Sequence, residues 1–147
     1  MEILEITGHN KKELDVLVDL MYQQMIDINS EKDRPSIESA INNALKPESR
    51  TIFFLAKQNE NTVGIAFINV CSGIESGGDY VWINELQILP QYRGKGFGAE
   101  LLKHVVAWAK SKNIKSVLSV AGVKNKISQS LFKSAGFEIE DIKWIKK

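Results

Sequence analysis

Between Leu89 and Leu102 the chain reads LPQYRGKGFGAELL, with glycine at positions 94, 96 and 98, an apolar run before them and a strongly helical one after. Glycine inside a regular element costs about 0.5–1 kcal/mol relative to alanine, so this spacing points to something that must lie close to the main chain. A glycine-rich turn that opens a helix presents free N–H groups at the positive end of the helix dipole, an arrangement that holds phosphate. A short way upstream, Glu85 is the one acidic residue in VWINELQILP. A carboxylate set among Trp82, Ile83, Leu86 and Ile88 feels desolvation, which raises its pKa toward the working range of a general base. The competing assignment is a glutamate on the solvent side of a strand.

The spacing of the glycines selects among phosphate ligands. A nucleotide-triphosphate loop would read G-x-x-x-x-G-K-[ST], and the sequence has none. The dinucleotide fingerprint G-x-G-x-x-[GA] is met by Gly94, Gly96 and Ala99, but it wants an acidic residue about 20 positions on to hold a ribose. The segment IKSVLSVAG contains no acid, and the match falls well past mid-chain. Cys71 is the only cysteine, which excludes an intramolecular disulfide and fits a reducing compartment. Within GIAFINVC it reads as a small apolar strand residue with no basic partner near it in sequence. His9 and His104 read as structural or solvated, and no metal site is expected. Trp82, Trp108 and Trp144 read as core.

These residues need a scaffold. A chain of 147 residues suits one domain with a real core. Nineteen basic and 18 acidic side chains leave a formal charge of +1, so no global field points to nucleic acid or an anionic membrane. The start MEILEITGHN lacks the pattern of a signal peptide, and runs such as IFFLA and VVAWA are too short to span a bilayer, so a cytoplasmic location is expected. EILEIT alternates like a strand. Asn10 and Glu13 suggest a capping box for a helix with Leu14, Leu17, Val18, Met21, Met25 and Ile28 on its apolar face. Pro35 suits the first turn of a second helix through SIESAINNAL. Strands are expected in TIFFLAKQ, TVGIAFINVC and YVWINELQILP, then a helix from Phe97 to about Asn113. SVLSVAG reads as a short strand, KNKISQSLFKSAG as a short helix closed by Gly136, and FEIEDIKWI as one or two last strands. The order β-α-α-β-β-β-α-β-α-β describes an α/β protein with a mixed sheet, in which the strand-helix-strand unit from Tyr80 to Ala121 is parallel.

With Gln91, the glycine turn gives Q-x-x-G-x-G, which resembles the coenzyme A loop of the GNAT family of N-acetyltransferases. The resemblance covers nearly the whole chain: the element order matches, and NKISQSLFKSAGF is similar to the family's second signature, an asparagine followed by a short helix that ends in Gly-Phe. It implies the acyl-CoA N-acyltransferase fold, with a mixed, mostly antiparallel central sheet, a splayed parallel strand pair and flanking helices, as one domain over residues 1–147. It further implies acetyl-CoA as co-substrate, no metal, and direct transfer of acetyl from the thioester to a primary amine. By the same resemblance, pantetheine enters the splayed cleft and pairs with the main chain at Leu86 and Ile88. Pyrophosphate lies on N–H groups of Arg93, Gly94, Lys95, Gly96, Phe97 and Gly98. Arg93 and Lys95 either add charge to the phosphates or remain solvated surface. Asn125 matches the family's cofactor-facing asparagine, and an N-cap role is equally natural.

Glu85 is then the expected base, with a backbone N–H near Ile88 polarising the thioester carbonyl. Phe132 departs from the pattern, because many relatives carry at this position a tyrosine that protonates the leaving thiolate. Tyr22, Tyr80 and Tyr92 are the substitutes to consider, each with a plain structural role as the alternative. The implied acceptor, a small-molecule or peptide amine, sits between the first two helices, the strand carrying Glu85 and the last strands. Glu31, Asp33, Glu38, Glu75 and Asp79 either draw in a cation or are merely solvated. No nucleic acid or membrane partner is expected, and a homodimer is compatible with the resemblance. A non-enzymatic alternative, an acyl-CoA-binding regulatory module, keeps the loop without needing Glu85.

Overall fold

The structure, a computed structural model, describes residues 1–140, 145 and 146. Its elements follow the order β1 (Glu2–Ile6), α1 (Leu14–Asp27), α2 (Arg34–Ala44), β2 (Thr51–Gln58), β3 (Asn61–Cys71), β4 (Tyr80–Ile88), α3 (Phe97–Ser111), β5 (Ser116–Ser119) and α4 (Lys126–Ser134), with a single 3-10 turn at Pro90–Tyr92. The five strands form one sheet in the order β1-β2-β3-β4-β5. Its first three pairings are antiparallel, and only β4 and β5 run parallel, joined by the crossover through α3.

Alternation along the strands divides the apolar residues between two cores. Phe53, Leu55 and Ile65 face α1 and α2, where they meet Leu17, Met21, Ile37 and Ile41. Ile52, Phe54, Ala66, Ile68, Val81 and Ile83 face α3 and meet Leu101, Leu102 and Val105. Burial of β2 on both faces explains its near-continuous apolar run TIFFLA. Leu131 and Phe132 of α4 pack onto the α3 side.

The helix ends depart from expectation at both ends of α1. Asn10 does not cap α1: its side-chain amide donates to the Glu5 carbonyl at 3.0 Å. The helix starts instead from Glu13, whose backbone is left-handed at φ 55° and whose carboxylate pairs with Lys57 at 3.1 Å. α1 also ends at Asp27, leaving Ile28 exposed rather than on the apolar face. Pro35 does lie in the first turn of α2, where the Asp33 carboxylate accepts from Ser36 N–H at 2.9 Å. Gly136, at φ 86°, closes α4 as expected, with Phe137 N–H donating to Phe132 C=O at 2.9 Å. The final strands are not seen at Phe137–Glu140, which has no regular structure; the rest of that stretch, Trp144 included, lies mostly outside the described residues.

Gly64 of β3 stands opposite Ile88, the last residue of β4. A Cβ there would come within 2.5 Å of both the Gln87 carbonyl oxygen and Ile88 Cδ1. A backbone oxygen cannot step aside as a flexible side chain can, so Gly64→Ala should destabilise the fold by about 1–3 kcal/mol, the usual cost of overpacking. Urea unfolding with an unchanged m-value and a lowered midpoint is the expected result; an unchanged midpoint would mean that β3 and β4 are not so closely apposed.

Candidate active site

Two residues of β4 face one of β3 at a single point. Ile68 pairs with Ile83 and Phe67 with Glu85, leaving Asn84 as the extra residue of a β-bulge. The bulge reverses the strand's phase. Before it, odd-numbered Val81 and Ile83 face the α3 core; after it, even-numbered Leu86 and Ile88 do. Glu85 therefore does not sit among Ile83, Leu86 and Ile88 as the sequence suggests, but on the opposite, α1/α2 face of the sheet. The bulge also marks where β4 and β5 part. Their ladder runs from Tyr80↔Ser116 to Ile83↔Ser119 and stops, with Ser119 Oγ donating to the Ile83 carbonyl at 3.1 Å. From Asn84 to Ile88, β4 has no strand partner on its β5 side among the described residues.

On the α1/α2 face, Glu85 forms part of the wall of a cavity of about 130 Å³. The other walls are apolar: Met21 and Met25 from α1, Ile37 and Ala40 from α2, and the stacked rings of Phe53 and Phe67, whose centroids lie 4.4 Å apart. Burial in these surroundings pushes the Glu85 carboxyl above the usual carboxylate range. A hydrogen bond from Gln24 Nε2 to Glu85 Oε2 at 2.6 Å opposes that shift without cancelling it. The other atom of the Gln24 amide, Oε1, is buried without a partner among the described residues, and so is Gln87 Oε1, two residues along the strand from Glu85. Neither glutamine stands out in the sequence. The switch from odd to even apolar positions across Asn84 was the one readable signal that Glu85 and Gln87 share the far face.

Beyond Ile88 the chain turns into the glycines. Gly94 and Gly96 have φ of 75° and 85°, left-handed backbone that disfavours any side chain, and a Cβ on either would have nothing within 4 Å. Gly96 is the N-cap of α3 and brings no side-chain cap, so the first-turn N–H groups of Phe97, Gly98 and Ala99 lack the partner that a serine or aspartate would supply. Gly98 differs from the other two. Its φ is not positive, and a Cβ would meet Ile88 Cγ1 and Leu131 Cδ2 at 3.6 Å, an ordinary contact, so the fold itself does not demand glycine there. Phe97 packs edge-on to Tyr92. Arg93 Nε donates to the Ile88 carbonyl at 2.8 Å, tying the loop to the end of β4, and Lys95 Nζ lies 5.8 Å from the centroid of the Tyr92 ring.

The remaining residues singled out by sequence divide into structural and unassigned. Asn125 caps α4, its Oδ1 accepting from Ser128 N–H at 3.1 Å. Asp33 caps α2 and Asp79 is paired with Arg50, so these two acids have structural work of their own; Glu31, Glu38 and Glu75 are solvated. Phe132 packs against Phe137, with ring centroids 5.2 Å apart. Tyr22 packs against the α1/α2 core, and Tyr80 stands opposite Cys71 at the far end of β4. His104 lies edge-on to Phe54, and burial lowers its pKa, keeping it neutral. Among the described residues no three His, Cys, Asp or Glu side chains cluster as a metal site, and no helix is long and apolar enough to cross a membrane.

The strand β4 thus joins three features: an edge parted from β5, a carboxylate on the α1/α2 face, and at its end an uncapped glycine start to α3. The family model described as "Acetyltransferase (GNAT) family" matches residues 15–137, most of the chain. The chain belongs to the GNAT acetyltransferase family. A curated relative, an uncharacterized N-acetyltransferase of Methanocaldococcus jannaschii, is 30% identical over 92 residues, which is 61% of this chain and 40% of the relative. The chain thus spans less than half the length of that relative. Among solved structures, a probable acetyltransferase superimposes with a TM-score of 0.86 at 18% identity, covering 100% of this chain and 97% of the other. A predicted acetyltransferase of Clostridium acetobutylicum, solved with acetyl-CoA, gives 0.77 at 22% identity over 99% and 94% of the two chains. The aminoglycoside N-acetyltransferase AAC(6')-Iy, solved with a bisubstrate analogue, gives 0.81 at 20% identity over 99% and 97%. The GNAT fold, with its mixed sheet and splayed parallel pair, is thereby established.

Because burial raises the Glu85 pKa, the folded state of this GNAT protein holds the Glu85 proton more tightly than the unfolded chain does. The stability that Glu85 contributes is complete below its ordinary value of 4.5 and declines as pH rises through the folded value. Glu85→Gln removes that decline. Thermal melts should show the variant gaining on the wild type as pH rises from acid to neutral, and a Tm difference that stays constant with pH would place Glu85 in a water-like setting.

Proposed function

We propose that this chain is an acetyl-CoA-dependent N-acetyltransferase that moves the acetyl group directly to a primary amine, with Glu85 as general base. The observation that carries the proposal is the position of a desolvated carboxylate in the wall of a cavity, on the strand whose other side is left unpaired. Main-chain groups of Leu86 and Ile88 on that free edge are suited to the amides of pantetheine. The uncapped N–H groups from Arg93 to Gly98, at the positive end of the α3 dipole, are suited to pyrophosphate. Lys95 is free to add charge there. Arg93, held by the Ile88 carbonyl, acts first as a brace for the loop, and Asn125 acts first as the α4 cap. The same features favour one acetyltransferase domain, and the reducing setting suggested by the lone Cys71 favours a cytoplasmic one.

In the reaction, the neutral amine nitrogen attacks the thioester carbonyl carbon and a C–N bond forms. The nitrogen gives its proton to Glu85, directly or through water. The C–S bond breaks and coenzyme A leaves as a thiolate, which takes up a proton, so the products are an acetamide and the free thiol. Phe132 has no hydroxyl to donate that last proton. A thiol is far more acidic than an alcohol, so the thiolate is able to leave unassisted. The absent hydroxyl also favours the second reading, a regulatory module that binds acyl-CoA without turning it over.

Three variants test the loop, the base and the thiolate's departure. Gly96→Asp adds a side chain and a charge where pyrophosphate would meet the amides, and calorimetry should show acetyl-CoA binding abolished in a folded protein; unchanged affinity would overturn the assignment of the loop. Glu85→Gln should keep acetyl-CoA affinity and lower turnover by about 10²–10⁴, the usual worth of a general base. The wild-type acid limb of kcat/KM should lie above the ordinary glutamate range and disappear in the variant. Turnover in the variant equal to wild type at every pH would remove Glu85 from the mechanism. Phe132→Tyr should raise kcat if thiolate departure is limiting.

A further inference from the structure

The wall of the cavity beside Glu85 carries information about the acceptor. Eight of its nine lining residues are apolar, and Glu85 is the single charged one. A cavity of about 130 Å³ is close to the size, roughly 150 Å³, at which an apolar protein cavity admits benzene. The stacked Phe53 and Phe67 rings and the thioethers of Met21 and Met25 offer dispersion and sulfur–aromatic contacts rather than hydrogen bonds. A hydroxyl or ammonium placed among them would lose its water without gaining a partner.

The polar atoms are confined to one corner. Glu85 accepts there, and Gln24, which is not part of the cavity wall, supports it from behind with an amide N–H. A neutral primary amine has two N–H donors and one lone pair. The carboxylate matches one of the donors, leaving the lone pair for the thioester. Of the five acids expected to draw in a cation, Asp33 is engaged as a helix cap and Asp79 in an ion pair, and the solvated Glu31, Glu38 and Glu75 are not part of the cavity wall.

We propose that the acceptor is a primary amine borne on a compact apolar group, an arylalkyl or branched alkyl amine, whose apolar part fills the cavity while its nitrogen meets Glu85. This rests on the acetyltransferase reading above and narrows its acceptor class. It sets the chain apart from the similar aminoglycoside acetyltransferases, one of which is solved with the polyhydroxylated polycation sisomicin.

The test is acetyl transfer by the purified protein with acetyl-CoA, followed by thiol release and mass detection of the acetamide. The acceptors are methylamine, isobutylamine, benzylamine, 2-phenylethylamine, spermidine, neamine and a lysine peptide. Each methylene that enters the cavity is expected to raise kcat/KM about fourfold, so 2-phenylethylamine should exceed methylamine by at least tenfold and also exceed spermidine, neamine and the peptide. Ala40→Phe, which fills the cavity from α2, should raise KM for 2-phenylethylamine at least tenfold and leave acetyl-CoA affinity unchanged. Turnover that favours neamine, spermidine or the peptide would overturn the apolar assignment while upholding the enzyme. So would an Ala40→Phe variant that discriminates among acyl-CoAs of different chain length and not among amines, since the cavity would then hold the acyl group. Acetyl-CoA binding with no acetylation of any amine would overturn the acetyltransferase reading itself, and the acceptor class with it.

Discussion

Two parallel strands that begin as partners and then separate impose the main constraint on this molecule. Backbone N–H and C=O groups inside a domain are nearly always paired, and β4 gives up strand partners along one edge from Asn84 to Ile88. The bulge at Asn84 makes this possible by bending the strand where the ladder stops. Everything near the site answers to that bend. Glu85 turns to the face of the sheet covered by α1 and α2, Gly64 lets β3 stay close to the end of β4, and Arg93 ties off the last carbonyl. α3 then starts beside the opening, with its N-terminal amides uncapped.

Glu85 is held between opposing influences. Burial among Met21, Met25, Phe53 and Phe67 favours the protonated form, and the Gln24 amide favours the ionised one. Full burial without Gln24 would hold the proton more tightly still, and full exposure would release it in the ordinary glutamate range. Among the described residues the balance is reached with one neutral donor and no cation. A lysine or arginine in Gln24's place would hold the carboxylate ionised and cost it basicity.

The local patterns were legible from sequence and the non-local ones were not. Alternation and periodicity located β1 to β5 and α1 to α4, and the glycine turn was located by its spacing, although that spacing points to room for a close approach and not to the left-handed backbone that Gly94 and Gly96 adopt. Asn10 misled because an asparagine before a helix has several acceptors within reach, and the Glu5 carbonyl won over the helix N-terminus. Glu85 was expected to be desolvated and is, but by other neighbours than strict alternation suggests. Strict alternation places it with Ile83, and one inserted residue, Asn84, exchanges those neighbours for residues of α1 and α2. Gln24 was invisible because its partner lies 61 positions away, and nothing in DLMYQQMID distinguishes it from Gln23, which bonds Asp27 on the same helix. Asn125 carried two compatible readings, and the cap is the one that the chain's own geometry satisfies.

The sheet separates two cores, and the separation divides the chain's adaptability as well as its volume. The glycine turn, α3 and α4 rest on one core, while the cavity residues of α1 and α2 rest on the other. Substitutions at sites that share no partners combine almost additively. Drift at Met21, Met25, Ala40 or Ala44 can therefore reshape the cavity without disturbing the glycine turn, and under the proposed function lineages that share this scaffold are free to diversify the acceptor while inheriting the donor site intact.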